Sequence, residues 1–346
     1  MNRQLSTIRT DEPALAQKVA FLSRPATYPS APAVTPRETH MSWVFLAGDT
    51  VYKLKKPVRF SYLNFSTLER RRAACQAELR LNRRLAPDVY LDVVPLTLSA
   101  GGLSIGGDGL TVDWLVAMRR LNESQTLENA ILEQRVQPRQ LDRLAATLVK
   151  FYRQATPVFL AAAVLLQDWQ QNRLYNRRVL FDPRCGVPSG LITRIDAVQR
   201  RFLSSHSELL ADRLRNRRIV DGHGDMRPEH IWLDDPVKVI DCLEFNPRLR
   251  AVDPFDEIAF LSLECEILGA AWVGKYIQHR VARQMRDRVP QSLFLFYRCQ
   301  RATLRARLAI AHMLEPNPRT PEKWPRLARA YLRVAAADGR QLERCL

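Results

Sequence analysis

Asp221-Gly222-His223-Gly224-Asp225-Met226-Arg227-Pro228-Glu229-His230 is the densest run of chemically capable side chains in this 346-residue chain. Eight residues, Ile231 to Lys238, separate it from Val239-Ile240-Asp241-Cys242-Leu243-Glu244-Phe245-Asn246. Asp225 and Asp241 flank β-like runs at 219–220, 231–233 and 237–240, in loops where a rigid base lets reactive groups converge. A polar turn between buried strands explains any one of these residues equally well. It explains the whole poorly, because several acids and two histidines crowd one place. A metal hydrolase would take His223, Asp225 and His230 as ligands, yet no third histidine lies nearby and no H-E-x-x-H is present. Phosphoryl transfer asks for one Asp to position and deprotonate an acceptor hydroxyl. It also asks for a residue five positions on to help hold Mg²⁺, and a second Asp to hold Mg²⁺ against the phosphates. Asp225, His230 and Asp241 fall in that order.

Upstream, a short helix is expected over 11–22, then a Pro-rich connector over 25–36. Two β-favouring runs, 42–46 and 50–54, meet at Gly48-Asp49, a hairpin signal. Ser66-Thr67-Leu68-Glu69 has the capping-box pattern and opens a helix to about Leu85, which Pro87 ends. Two further strands, 91–98 and 111–118, are joined by a glycine-rich turn, Gly101 to Gly109. A strand rather than a helix follows those glycines, so the dinucleotide and Walker readings fail their context. Beyond Leu121, helical periodicity dominates: 127–134, 138–154, 158–178, 190–215, 254–268, 270–286, 291–315 and 320–343. The pattern predicts an α+β chain of two lobes. Residues 1–120 form a small lobe with an antiparallel sheet and one helix, and 121–346 a larger, mainly helical lobe with a short β insert.

The loop His223-Gly224-Asp225-x-x-x-x-His230 resembles the H-G-D-x-x-x-x-N loop of the aminoglycoside phosphotransferase and choline kinase family. It is also similar to the H-R-D-x-K-P-E-N loop of protein kinases, with Arg227-Pro228-Glu229 in the Lys-Pro-Glu positions. Val51-Tyr52-Lys53-Leu54 resembles the third-strand lysine motif, and Glu78 the acid that pairs with it from the following helix. Val239-Ile240-Asp241 looks like the metal-binding Asp, and Asp253-Pro254-Phe255-Asp256-Glu257-Ile258-Ala259 like the downstream D-P-x-x-D-x-A segment. The order Lys, Glu, Asp, Asp spans most of the chain. The resemblance implies a bilobal protein kinase-like fold and transfer of the γ-phosphate of ATP, with Mg²⁺, to a hydroxyl of a small molecule. Lys53, oriented by Glu78, would meet the α/β-phosphates, with Lys55 the rival on the same strand face. Asp225 would be the base, Arg227 would neutralise the phosphoryl group unless spent on Glu229 or Asp221, and Asp241 would hold the metal. Backbone at Met118–Leu121 would meet adenine.

Two departures stand out. His230 replaces the metal-binding Asn, and imidazole is a poor Mg²⁺ ligand. It would help hold the metal with Asp241, leave a one-metal site aided by Glu244, or contact phosphate instead. No G-x-G-x-x-G precedes the second strand; Pro36 to Ser42 stands there. A catalytically weak or inactive kinase-like binding protein is the first alternative.

Composition adds limits. The formal net charge is +17, carried by 45 arginines and only eight lysines. That excess raises nucleic-acid binding as a second alternative, through Arg70–Arg72, Arg213–Arg218 and the group Arg301, Arg305 and Arg307. No helix-turn-helix, zinc-finger or RNP signature accompanies it. The basic balance also points to an anionic or neutral acceptor rather than a polycation. Tyr297, Arg301 and Arg305 share a helix face that either lines an acceptor pocket or packs internally. The first ten residues lack the apolar core of a signal peptide. No apolar run reaches the ~20 residues of a spanning helix, and the six scattered cysteines read as reduced, mostly buried thiols. The expectation is a cytoplasmic protein with no membrane partner.

Overall fold

The computed structural model describes residues 13–60, 62–183, 186–314 and 322–346. The chain divides into two compact units. One holds residues up to Asn122 together with Glu244–Asn246; the other holds Glu123–Leu243 and Pro247 onward.

Among the described residues, the first unit is a sheet with two helices. Helix α1 (Leu15–Leu22) precedes strands β1 (Val34–Glu38), β2 (Ser42–Ala47) and β3 (Thr50–Lys55). A small hairpin follows, β4 (Arg59–Phe60) and β5 (Leu63–Asn64), then helix α2 (Leu68–Asn82). Strands β6 (Tyr90–Ser99), β7 (Gly102–Ile105) and β8 (Leu110–Arg119) complete it. The six-stranded sheet runs β1-β2-β3-β8-β6-β7, antiparallel throughout. Gly48, at φ +58°, supplies the left-handed residue of the β2–β3 turn.

Three expectations shift here. The Pro-rich connector contains edge strand β1, which tolerates Pro36 because an edge strand need not donate every N–H. The glycine-rich turn holds strand β7, hairpinned onto β6. The cap of α2 is Thr67, whose side chain accepts from the Arg70 N–H, rather than Ser66. Residues 11 and 12 of the expected first helix lie outside the described residues.

Leu22 of α1 buries against Phe45, Leu54, Leu96, Val112 and Leu115 of the sheet. A buried ion cluster joins three elements: Asp113 of β8 takes Lys18 of α1 at 2.8 Å and Arg71 of α2 at 2.7 Å. Removing one member would strand the others in low dielectric, so the cluster fixes α2, and with it Glu78, on the sheet.

The second unit is helical: α3 (Leu127–Leu132), α4 (Pro138–Gln154), α5 (Ala162–Leu180), α6 (Ser189–Ser205), α7 (Ser207–Arg215), α8 (Pro254–Ile267), α9 (Ala271–Met285), α10 (Gln291–Ala311) and α11 (Lys323–Glu343). The predicted helix over 190–215 is two helices, broken at His206. Residues 315, 320 and 321 of two expected helix ends lie outside the described residues. Two short antiparallel pairs form the β insert. Strand β9 (Val220–Asp221) pairs with β12 (Ala251–Val252), a strand the sequence pattern missed, and β10 (Ile231–Trp232) pairs with β11 (Lys238–Val239).

Helix α8 is the spine of this unit, buried from Pro254 to Cys265. A helix buried all round must partner every charge it carries. Asp253, its N-cap, accepts from the Phe255 N–H and is forked by Arg213 of α7. Asp256 is bidentate to Arg301, and Glu264 meets Arg305 at 2.8 Å; both arginines come from α10. The α10 face that carries Tyr297, Arg301 and Arg305 therefore packs inward against α8 carboxylates. Each of the three stretches expected to form a nucleic-acid patch loses members this way, since Arg71, Arg213, Arg301 and Arg305 are all engaged in ion pairs. Arg70, Arg72, Arg215 and Arg217 of the same stretches stay exposed, and the net excess, which internal pairs leave unchanged, rests on residues such as these.

Candidate active site

In the second unit the loop between β9 and β10 carries the expected catalytic residues, and the backbone explains the motif letter by letter. Gly224 has φ +89°, and a Cβ there would approach the Leu243 side chain within 2.9 Å. Only glycine fits both demands. The His223 ring is fully buried, with Nε2 2.9 Å from the Ile240 carbonyl and Nδ1 facing the Asp225 N–H at 3.3 Å. A carbonyl only accepts, so Nε2–H donates and Nδ1 carries the lone pair. Burial, then the neighbouring His230, pushes the His223 pKa down to about 4. His223 is thus a neutral pin that ties the Asp225 backbone to the strand leading into Asp241. That geometry does not make it a metal ligand.

Glu257, on α8, holds the same loop from below. Its carboxylate accepts the His223 N–H at 2.8 Å, the Gly224 N–H, and the Tyr152 hydroxyl at 2.9 Å. Burial raises its pKa, while the Gly224 N–H and Tyr152 oppose the rise. Sequence reasoning quoted Glu257 inside the D-P-x-x-D-x-A segment without giving it a role. The signal was an acid next to Asp256 in the first turn of a helix with a long apolar run.

Burial alone would raise the Asp225 carboxyl, but Arg227, then His230 and Arg305, reverse this and leave its pKa below the ordinary value. Arg227 reaches the Asp225 carboxylate at 2.9–3.0 Å and also grips Glu229. The expected rival partner Asp221 instead pairs with Arg250 at 2.8 Å. Arg227 is therefore both the cation nearest Asp225 and an ion-pair partner of Glu229. His230 closes the loop: Nδ1 lies 3.0 Å from the Asp225 carbonyl and Nε2 3.1 Å from an Arg227 Nη. The Asp241 carboxylate lies 3.5 Å from that Nε2. Asp241 itself sits at φ +62°, a left-handed position that Asp tolerates and that often marks a functional turn. One ligand atom each from Asp225, His230 and Asp241 falls within 4.8 Å of the others. Two carboxylates suit a hard divalent ion, and the imidazole fits it less well.

In the first unit Lys53 and Lys55 both reach Glu78, at 2.8 and 2.6 Å, one on each carboxylate oxygen. Alternation along β3 puts the two lysines on one face, as the strand period requires. They differ in surroundings. Lys55, 1% exposed at its side chain, is held on its other flank by Glu244 at 2.5 Å; Lys53 is 16% exposed. Burial would lower the Lys55 pKa, but Glu244 and Glu78 reverse it and hold the ammonium charged. Glu244, offered as an aid in a one-metal site, pairs with Lys55. Met118 is buried at the end of β8, paired with Val51 and Tyr90. Leu121 lies just past that strand, and the intervening N–H groups of Arg119 and Arg120 donate to Val89 and Asp49.

Four described cysteines, 75, 242, 265 and 299, are buried, and Cys345 is exposed; Cys185 lies outside the described residues. Among the described residues no helix is long and apolar enough to cross a membrane.

No protein-family model matches the sequence. Uncharacterised proteins of Mycobacterium tuberculosis and Mycobacterium bovis are each 33% identical over 294 residues, 83% of this chain. The chain spans 57% of the length of those relatives. Among solved structures, a choline/ethanolamine kinase family protein from Mesorhizobium loti superposes with a TM-score of 0.53 at 14% identity, covering 94% of this chain and 98% of that one. A choline kinase from Cryptosporidium parvum gives 0.52 at 9%, covering 94% and 96%. A thermostable mutant of the aminoglycoside phosphotransferase APH(4)-Ia gives 0.52 at 11%, covering 91% and 98%. The chain has the protein kinase-like fold. Within that fold its likeness is to choline/ethanolamine kinases and aminoglycoside phosphotransferases, the group its loop motifs resemble.

Proposed function

We propose that the chain is an ATP-dependent phosphotransferase that moves a phosphoryl group to a hydroxyl of a small molecule. The observation that carries this reading is the loop 223–230. Its Asp225 carboxylate is kept ionised beside Arg227, and donor atoms of Asp225, His230 and Asp241 converge within 4.8 Å. The solved kinases with the same fold support it; their names specify choline, ethanolamine and aminoglycoside chemistry, and one APH(4)-Ia complex holds AMP-PNP and hygromycin B.

Asp225 accepts the hydrogen bond of the acceptor hydroxyl and takes its proton, an effect worth about 10²–10⁴ in rate. Arg227 swings between Asp225 and the transferring phosphoryl group, where guanidinium offsets developing charge. Lys53 is the phosphate lysine, because it is the less buried of the pair; Lys55 holds Glu78 in place and is shared with Glu244. Adenine meets the Met118–Leu121 segment. A divalent ion, when bound by Asp241 and His230, neutralises the nucleotide phosphates. The acceptor is anionic or neutral, in keeping with the basic balance of the chain, which works in the cytoplasm.

A second reading, a nucleotide-binding protein without turnover, is favoured by one observation: Arg227 sits on Oδ2 of Asp225 and also meets Nε2 of His230, so two of the expected site atoms are engaged with each other. A thermal-shift series with ATP, with and without divalent ion, on wild type and Asp241→Ala, separates the two. The phosphotransferase reading predicts stabilisation by ATP that needs the ion and is lost in Asp241→Ala. Stabilisation indifferent to the ion selects the second reading, and no stabilisation at all removes both.

A further inference from the structure

His230 stands where related loops carry an oxygen ligand, and its environment fixes what kind of ligand it can be. A backbone carbonyl accepts only, so the 3.0 Å contact with the Asp225 carbonyl places a proton on Nδ1. A guanidinium donates only, so the 3.1 Å contact with Arg227 places the lone pair on Nε2. This is the arrangement of a metal-ligating imidazole: one nitrogen tied to a carbonyl, which sets the tautomer and ring orientation, and the other nitrogen basic. The Asp241 carboxylate oxygen lies 3.5 Å from that same Nε2. Two ligand atoms on one tetrahedral ion at bond lengths of about 2.0–2.2 Å are separated by about 3.4 Å. Adjacent ligands on octahedral Mg²⁺ at 2.0–2.1 Å are only about 2.9 Å apart. The observed separation matches the first and would have to close by roughly half an ångström for the second.

Resting on the phosphotransferase reading, we infer that the Nε2 atom of His230, paired with the carboxylate of Asp241, selects a first-row ion that accepts tetrahedral nitrogen and oxygen ligation, Zn²⁺ or Co²⁺, over Mg²⁺. Imidazole nitrogen favours such ions, while Mg²⁺ holds its waters and prefers oxygen. Arg227 is the resident cation at Nε2. An incoming ion takes over that lone pair, and Arg227 keeps its contacts with Asp225 and Glu229. Asp225, on the Nδ1 side of the ring, stays available as the base.

The test is equilibrium binding of Co²⁺ to the nucleotide-free chain, read by visible absorption. Selection predicts an intense, tetrahedral-type band that equimolar Zn²⁺ abolishes and a hundredfold excess of Mg²⁺ does not. His230→Asn should weaken Co²⁺ at least tenfold and erase the discrimination against Mg²⁺, its folding checked by circular dichroism. Should that variant not fold, the wild-type band decides: an intense, tetrahedral-type band supports the inference, and a weak octahedral one overturns it. Displacement of Co²⁺ by comparable Mg²⁺, or unchanged Co²⁺ affinity in His230→Asn, also overturns it. Ion-dependent ATP stabilisation persisting beside either result leaves the phosphotransferase reading standing, so the two failures are distinguishable.

Discussion

His223 offers a sharp test of how the loop is held. Its ring is fully buried, and burial with the neighbouring His230 brings its pKa to about 4, against about 6.5 in an unfolded chain. Between those values the unfolded chain binds a proton that the folded chain refuses. Stability contributed by the neutral ring is therefore present above about pH 6.5 and drains away as pH falls toward 4. The gap is about 2.5 pH units at 1.36 kcal/mol each, or about 3 kcal/mol. His223→Gln keeps an N–H donor for the Ile240 carbonyl and has nothing to titrate in this range. It should be the less stable protein at pH 7, because its amide fits the Nδ1 contact less well. Between pH 6.5 and 4 the wild type should lose about 3 kcal/mol that the variant does not, so their difference in unfolding free energy shrinks or inverts. Denaturant unfolding of both proteins at half-unit pH steps reads this directly, since the other histidines contribute equally and cancel. A difference that stays constant across the range would refute the claim that a buried neutral His223 pins the loop.

Lys55→Met leaves Glu78 and Glu244 buried without their shared cation and should cost about 3–5 kcal/mol in denaturant unfolding. Lys53→Met leaves Lys55 on Glu78 and should instead weaken ATP about 10- to 100-fold, by titration calorimetry, with a smaller loss of stability. The opposite pattern would exchange their roles. Glu257→Gln keeps a carbonyl for the loop N–H groups but loses the charge. It should lower kcat about tenfold with little change in ATP affinity, whereas loss of ATP binding would show that Glu257 does more than position the loop.

How far the sequence reached can be seen residue by residue. The fold class was legible because the β2–β3 hairpin, the α2 cap region and the periodic helices each carry local signals. Gly224 and His223 could be located but not explained, since their necessity lies in contacts with Leu243 and Ile240 that no spacing records. Strand β1 hid behind its prolines and β7 behind its glycines, since both break the local pattern while long-range pairing restores it. Strand β12 is two residues long, too short to carry any period. Composition counts the arginines without placing them: Arg71, Arg213, Arg301 and Arg305 neutralise acids on buried elements, α8 above all, while Arg70, Arg72, Arg215 and Arg217 face outward. Pairing Lys55 with Glu244 required a contact across 189 residues of sequence.

Phosphorus nuclear magnetic resonance of ATP, incubated with the chain, Mg²⁺, Zn²⁺ or Co²⁺, and a low-molecular-weight bacterial extract, tests the central claim most directly. The account predicts that wild type consumes ATP and builds a new phosphomonoester signal, and that Asp225→Asn does so about 10²–10⁴ times more slowly. Equal rates in the two proteins, or no ATP consumed by wild type with any of these ions, would contradict it.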